Sequence, residues 1–89
     1  MSEIKANPAA LESSASLIEA NANTIQRELA AANDLLVSLR RTFIGQRAEG
    51  FFRQYDAAFE EMQSLVGQIH GLAEELRQGA RALRAADQG

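Results

Sequence analysis

Eighty-nine residues with a formal net charge of −3 and no cysteine leave room for one small domain, residues 1–89. They exclude a disulfide framework, a thiolate metal site and a thiol nucleophile. Charges of both signs spread along the chain also lack the concentrated basic face of a nucleic-acid binder. Met1-Ser2-Glu3-Ile4-Lys5 carries no apolar run of a signal peptide, and nowhere are there the roughly 20 consecutive apolar residues that span a bilayer.

The first element is announced by Asn7-Pro8. Asparagine can cap the free amides of a first helical turn, and proline fits the position after it, where its missing donor costs nothing. Between Pro8 and Arg41 there is no second proline and no glycine, which predicts a helix over about 8–41. Along it Leu11, Ala15, Ile18, Ala22, Ile25, Leu29, Ala32, Leu36, Leu39 and Phe43 alternate steps of four and three. That spacing averages 3.5 residues and keeps one apolar seam toward a partner helix.

A turn is expected over about 42–46, where Gly45 can take the left-handed conformation that ends a helix. The second helix is expected over about 46–86, with Asp87-Gln88-Gly89 as a frayed tail. Its seam is Ala48, Phe52, Tyr55, Phe59, Met62, Val66, Ile69, Ala73, Leu76, Ala80 and Leu83. So short a connection makes the helices antiparallel neighbours, an all-α two-helix hairpin. Folding back brings acidic Glu12, Glu19 and Glu28 alongside basic Arg77, Arg81 and Arg84, each set toward the helix end whose dipole it complements. Those arginines could instead be read as a nucleic-acid patch, but the acidic side chains opposite favour pairing.

A further apolar stripe, Phe51, Ala58, Leu65 and Leu72, repeats every seven residues beside the seam of the second helix. Ala10, Leu17 and Ala31, with Leu35 on the other flank, form a weaker counterpart in the first. A two-helix seam needs only two apolar positions per heptad, whereas a helix in a bundle needs three. Left in water, each large side chain forfeits about 1.5–3 kcal/mol relative to burial. The hairpin is therefore expected to dimerise into a four-helix bundle through Leu17, Leu35, Phe51, Leu65 and Leu72. The partner is an identical chain, related by a two-fold axis, or a related second chain.

No catalytic residue, cofactor site or metal site is expected, and no enzyme. His70 has only Glu74 as a helical neighbour and reads as a solvated surface histidine. Glu60-Glu61 and Glu74-Glu75 are adjacent in sequence and point apart on a helix. Every aromatic residue (Phe43, Phe51, Phe52, Tyr55, Phe59) falls at the turn or early in the second helix, which predicts a plug of rings at that end rather than a ligand pocket. Gly67, Gly71 and Gly79 each cost roughly 1 kcal/mol against alanine in a helix interior. They admit another backbone closely or loosen the helix.

Two long helices joined at Phe43-Ile44-Gly45, with Ile4-Lys5 and Pro8 ahead of them and the aromatic Phe52 after the turn, resemble the WXG family of small type VII (Esx-type) secretion substrates. Phe43 takes the place of the motif tryptophan and Gly45 that of its glycine. Leu83-Arg84-Ala85-Ala86-Asp87 has the spacing of the family's Tyr-x-x-x-Asp/Glu export motif, with Leu83 in place of the tyrosine and Asp87 at the acidic position. The resemblance implies head-to-tail homodimers or heterodimers with a related Esx-type chain. It also implies export without a cleaved signal peptide by a membrane machine driven by an FtsK/SpoIIIE-type ATPase, without cofactor, metal or nucleic acid. A cytosolic coiled-coil adaptor or scaffold would use the same heptads without export. A membrane-active helical protein would favour a Lys/Arg-rich polar face, which these helices lack.

Overall fold

The computed structural model describes residues 7–88; the Ile4-Lys5 opening and Gly89 lie outside them. Two helices, α1 (Pro8–Arg40) and α2 (Gln46–Gln88), fold back on each other into a rod of 65 × 21 × 21 Å. Among the described residues there is no strand. Asn7 starts α1 in extended conformation, its side-chain oxygen accepting from the Ala9 amide at 3.0 Å, with Pro8 following.

The turn is built differently from the sequence expectation. α1 winds down without a glycine: Thr42 and Phe43 both donate their amides to the Leu39 carbonyl, at 3.1 and 2.8 Å. Gly45 instead opens α2, its φ at +126° and its carbonyl accepting from the Glu49 amide at 3.0 Å. Its conformational freedom lets the chain reverse before the second helix, so its role is that of an N-terminal boundary. At the far end α2 continues through Asp87 to Gln88 rather than fraying after Ala86, since Leu83 to Ala86 are good helix formers with no breaker among them.

The seam is alanine-rich toward the open end of the hairpin. Ala15, Ala22, Ala73 and Ala80 have no exposed surface, and Leu29, Val66, Ala48 and Phe52 are buried with them. Ala22, Leu29 and Val66 form the centre, with Ile25, Phe59 and Ile69 packed against it. Leu39, Phe43 and Met62 depart from the expected seam and are exposed. Leu39 and Phe43 lie where α1 unwinds. Met62 is one helical turn from Leu65 and belongs to the edge of the seam on that side.

A polar zipper runs along one flank of this seam. Glu12, Glu19, Gln26, Asn33 and Arg40 recur every seven residues on α1, and Arg84, Arg77, His70, Gln63 and Asp56 do so in reverse order on α2. Its outer rungs are ion pairs: Glu12 with Arg84, Glu19 with Arg77, and Arg40 with Asp56. Arg77 holds Glu19 in a fork, its two nitrogens 2.7 and 3.3 Å from the carboxylate oxygens. The arginine hydrogen bonds pull the Glu19 and Glu12 carboxyls below the usual glutamate range, and those carboxylates raise Arg77 and Arg84 in turn. The expected Glu28 partnership does not form, and Arg81 turns to Glu74 of its own helix at 3.3 Å. Glu12 and Arg84 also lie outside the terminal turns of their helices, where the dipole effect fades, so pairing rather than the dipole accounts for them.

Candidate interaction surface

On a helix that turns about 100° per residue, the zipper occupies one flank of each seam. Leu17 and Leu35 of α1 are 18 residues and so five full turns apart, which puts Leu35 on the flank of Leu17 rather than on the other one as expected; with Phe51, Leu65 and Leu72 of α2 they fall on the flank opposite the zipper. All five are between 46 % and 70 % exposed. One broad face of the rod is thus laced by charge, and the other carries large apolar side chains with nothing over them among the described residues. Exposed hydrophobics clustered in this way mark an interaction surface more often than scattered single ones do.

The turn motif sits at one end of that face. Phe43, Phe51 and Phe52 form a triangle of tilted and edge-on rings, with centroids 5.3 to 6.3 Å apart, within the range of favourable aromatic pairs. Phe52 is its buried member, 7 % exposed, and the Arg40 guanidinium lies 4.8 Å over its ring. Tyr55 and Phe59 make a second pair at 5.9 Å. The expected plug is therefore only part of the arrangement: Phe52 seals the seam, while Phe43 and Phe51 remain half-open and link the turn to the apolar stripe. Ile44, between the two motif residues, is 82 % exposed.

Leu83 and Asp87 lie at the opposite end. Leu83 is half-buried on the seam, and Asp87 is exposed near the end of α2. The run of helix from Gly45 to Asp87 separates the two motifs by about 60 Å. One chain does not bring them together.

Sequence reasoning placed His70 in solvent. It is half-buried on the zipper flank, its Nδ1 3.9 Å from the Glu19 carboxylate, while Glu74, its expected neighbour, pairs with Arg77 and Arg81. The missed signal was available in the sequence: two heptad lines whose charges complement each other only when read antiparallel. A cleft of about 240 Å³ opens on the same flank among Leu29, Phe59, Val66, Gly67 and His70. The glycines separate by location. A β-carbon at Gly79 would meet Leu11 Cδ1 at 3.9 Å, whereas Gly67 and Gly71 face open space. Among the described residues no cluster of three or more His, Asp or Glu side chains could hold a metal ion, and no helix is long and apolar enough to cross a membrane.

Comparison with known proteins agrees with this architecture. The family model described as WXG100, proteins of 100 residues with WXG, matches residues 3–88. The crystal structure of EsxA from Geobacillus thermodenitrificans superposes with a TM-score of 0.83 at 18 % identity, covering 99 % of this chain and 95 % of that one. No curated protein matches the chain. At that identity the structural likeness establishes the hairpin fold, and the family match spans nearly all of the sequence. The chain therefore belongs to the WXG100 family, small helical proteins of the type VII secretion substrate kind.

Proposed function

We propose that this protein is a leaderless secreted substrate or export partner of a type VII (ESX-like) secretion system, and that it acts as a dimer through helix–helix contact. It is synthesised in the bacterial cytoplasm, closes its apolar face against an Esx-type chain, and is taken up by an FtsK/SpoIIIE-type ATPase. The observation that carries this reading is the position of the two motifs. Phe43 and Gly45 lie about 60 Å along the hairpin from Leu83 and Asp87, and Phe43 touches the stripe through Phe51. A head-to-tail partner lays its own Leu83 and Asp87 beside this turn, so a composite export signal exists only in the dimer. The role is recognition and transport rather than catalysis.

Export tests it directly. In cells that carry the secretion machine, the wild-type protein is expected in the culture medium only while the ATPase is intact. Gly45→Ala forces a side chain onto a backbone of φ +126°, a strain of about 1–3 kcal/mol, and is expected to reduce export severalfold. A Leu65→Glu/Leu72→Glu double variant, monomeric by light scattering, is expected to stay in the cell. Normal export of that monomer would sink the composite signal. Wild-type protein that never leaves the cell would favour an adaptor or scaffold instead.

A further inference from the structure

We propose that the cleft on the zipper flank is a second interaction site. It takes a tryptophan or tyrosine side chain, followed by a basic residue, from a protein other than the one that covers the apolar face. The inference goes beyond the function proposed above and depends neither on export nor on the dimer.

The cleft follows from a gap in the sequence pattern. Just outside the zipper, one position of α2 recurs every seven residues as Arg53, Glu60, Gly67, Glu74 and Arg81. Long side chains at the other four can lie along the flank, and Gly67 has none. A β-carbon there would meet nothing within 4 Å. Glycine is disfavoured in a helix interior, and no close backbone approach accounts for this one. Ala30 lines the cleft from α1, so both walls are low at the same level. The zipper is also uncharged here. Between the Glu19–Arg77 and Arg40–Asp56 pairs, its rungs are Gln26 with His70 and Asn33 with Gln63.

The result is an opening of about 240 Å³ whose floor and rim differ in chemistry. Leu29 and Val66 are buried beneath it and Phe59 packs against them, so the floor is apolar. Gln26 and Gln63 stand exposed at the rim, with His70 half-buried beside them. Side-chain amides offer both donors and acceptors. The volume falls below the roughly 300–1,000 Å³ of pockets that enclose a whole small molecule, and it suits a single ring. Tryptophan and tyrosine combine an apolar ring with a polar tip, and they anchor interfaces by filling recesses of this kind.

Charge selects the neighbour of that ring. Asp34, one turn beyond Ala30, and Glu60, one turn before Gln63, border the cleft toward the hairpin turn. Neither makes an ion pair among the described residues, so a partner's lysine or arginine fits there. Val37, 44 % exposed and two turns from Ala30, extends the contact in the same direction. Leu65 and Leu72 lie on the opposite flank, so covering the apolar face leaves the cleft open.

Titration with a capped Trp-Lys dipeptide, followed by amide chemical shifts, tests the site. Saturable shifts are expected at Ala30, Gly67 and His70, with a dissociation constant on the order of 1 mM. Gly67→Leu and Ala30→Leu each fill the cleft from one wall, and each should weaken binding about tenfold or more. Leucine is a good helix former, so both variants should keep the hairpin. Leu65→Glu, on the opposite flank, should leave the affinity unchanged, and a capped Trp-Glu dipeptide should bind several-fold more weakly. Shifts centred on Leu65 and Leu72, or an affinity unmoved by both leucine variants, overturn the site. Equal binding of the two dipeptides overturns the basic neighbour. Absence of saturation by about 10 mM overturns the inference altogether, whatever the export assay shows.

Discussion

The two ends of this hairpin are held by different physics. At the turn, Phe52 is buried against Phe43 and Phe51 with Arg40 over its ring, and the stabilisation comes from large apolar area and ring contacts. Toward the open end the fully buried seam positions are the alanines Ala15, Ala73 and Ala80, with Leu11, Ile18, Leu76 and Leu83 only half-buried around them, and Glu12–Arg84 and Glu19–Arg77 clasp the helices from the flank. Close backbone approach with small residues contributes little hydrophobic area per residue, so register there depends on fit and on charge. The turn end is expected to be the anchor and the open end the part that responds to conditions.

The sharpest way to break this contrast is at the anchor. Phe52→Ala removes the one deeply buried ring and is expected to cost about 3–5 kcal/mol, enough to threaten a small hairpin, read as a lowered urea midpoint. An effect no larger than that of a surface change would mean that the rings do not hold the turn. Next in size is overfilling the open end. Ala73 has no free surface, so Ala73→Leu should push the helices apart there at a cost of about 1–3 kcal/mol. Amide exchange should rise near the open end while the turn stays protected, and uniform exchange along both helices would erase the distinction.

The smallest effect sharpens the comparison through pH. The Glu12 and Glu19 carboxyls lie below their ordinary value of 4.5, chiefly through hydrogen bonds from Arg84 and Arg77. A depressed carboxyl binds fewer protons folded than unfolded. Its stabilisation is therefore fully present above about pH 4.5 and is lost as pH falls through the lower folded value. Both glutamates are only half-buried and so screened by solvent, and a modest decline of the melting temperature is expected below pH 4.5, diminished in Glu19→Gln. A Glu19→Gln variant with the same acid profile as wild type would show that the clasp contributes nothing to it.

Much of the architecture was legible because heptad spacing is a local signal that any antiparallel partner helix satisfies. The seam from Leu11 to Leu83, the Asn7-Pro8 cap and the short break after Arg41 all follow from backbone propensity and apolar period. The five side chains of the outer stripe were identifiable because a two-helix seam has no use for a third apolar position. The family was legible too, since the turn sits between two uninterrupted heptad tracts. Other features depended on how one helix lies against the other. Whether Gly45 ends α1 or opens α2 turned on hydrogen bonds to the Leu39 carbonyl. The place of His70, the choice of Arg81 for Glu74, and the exposure of Met62 and Phe43 turned on the rotation and stagger of the helices, which a repeating pattern leaves free by a turn either way. Sequence by itself determined that two amphipathic helices must pair and that one face would remain apolar, because burial follows periodicity. Only the tertiary structure decided which charges meet and which rings close the turn, because those depend on distances between residues far apart in the chain.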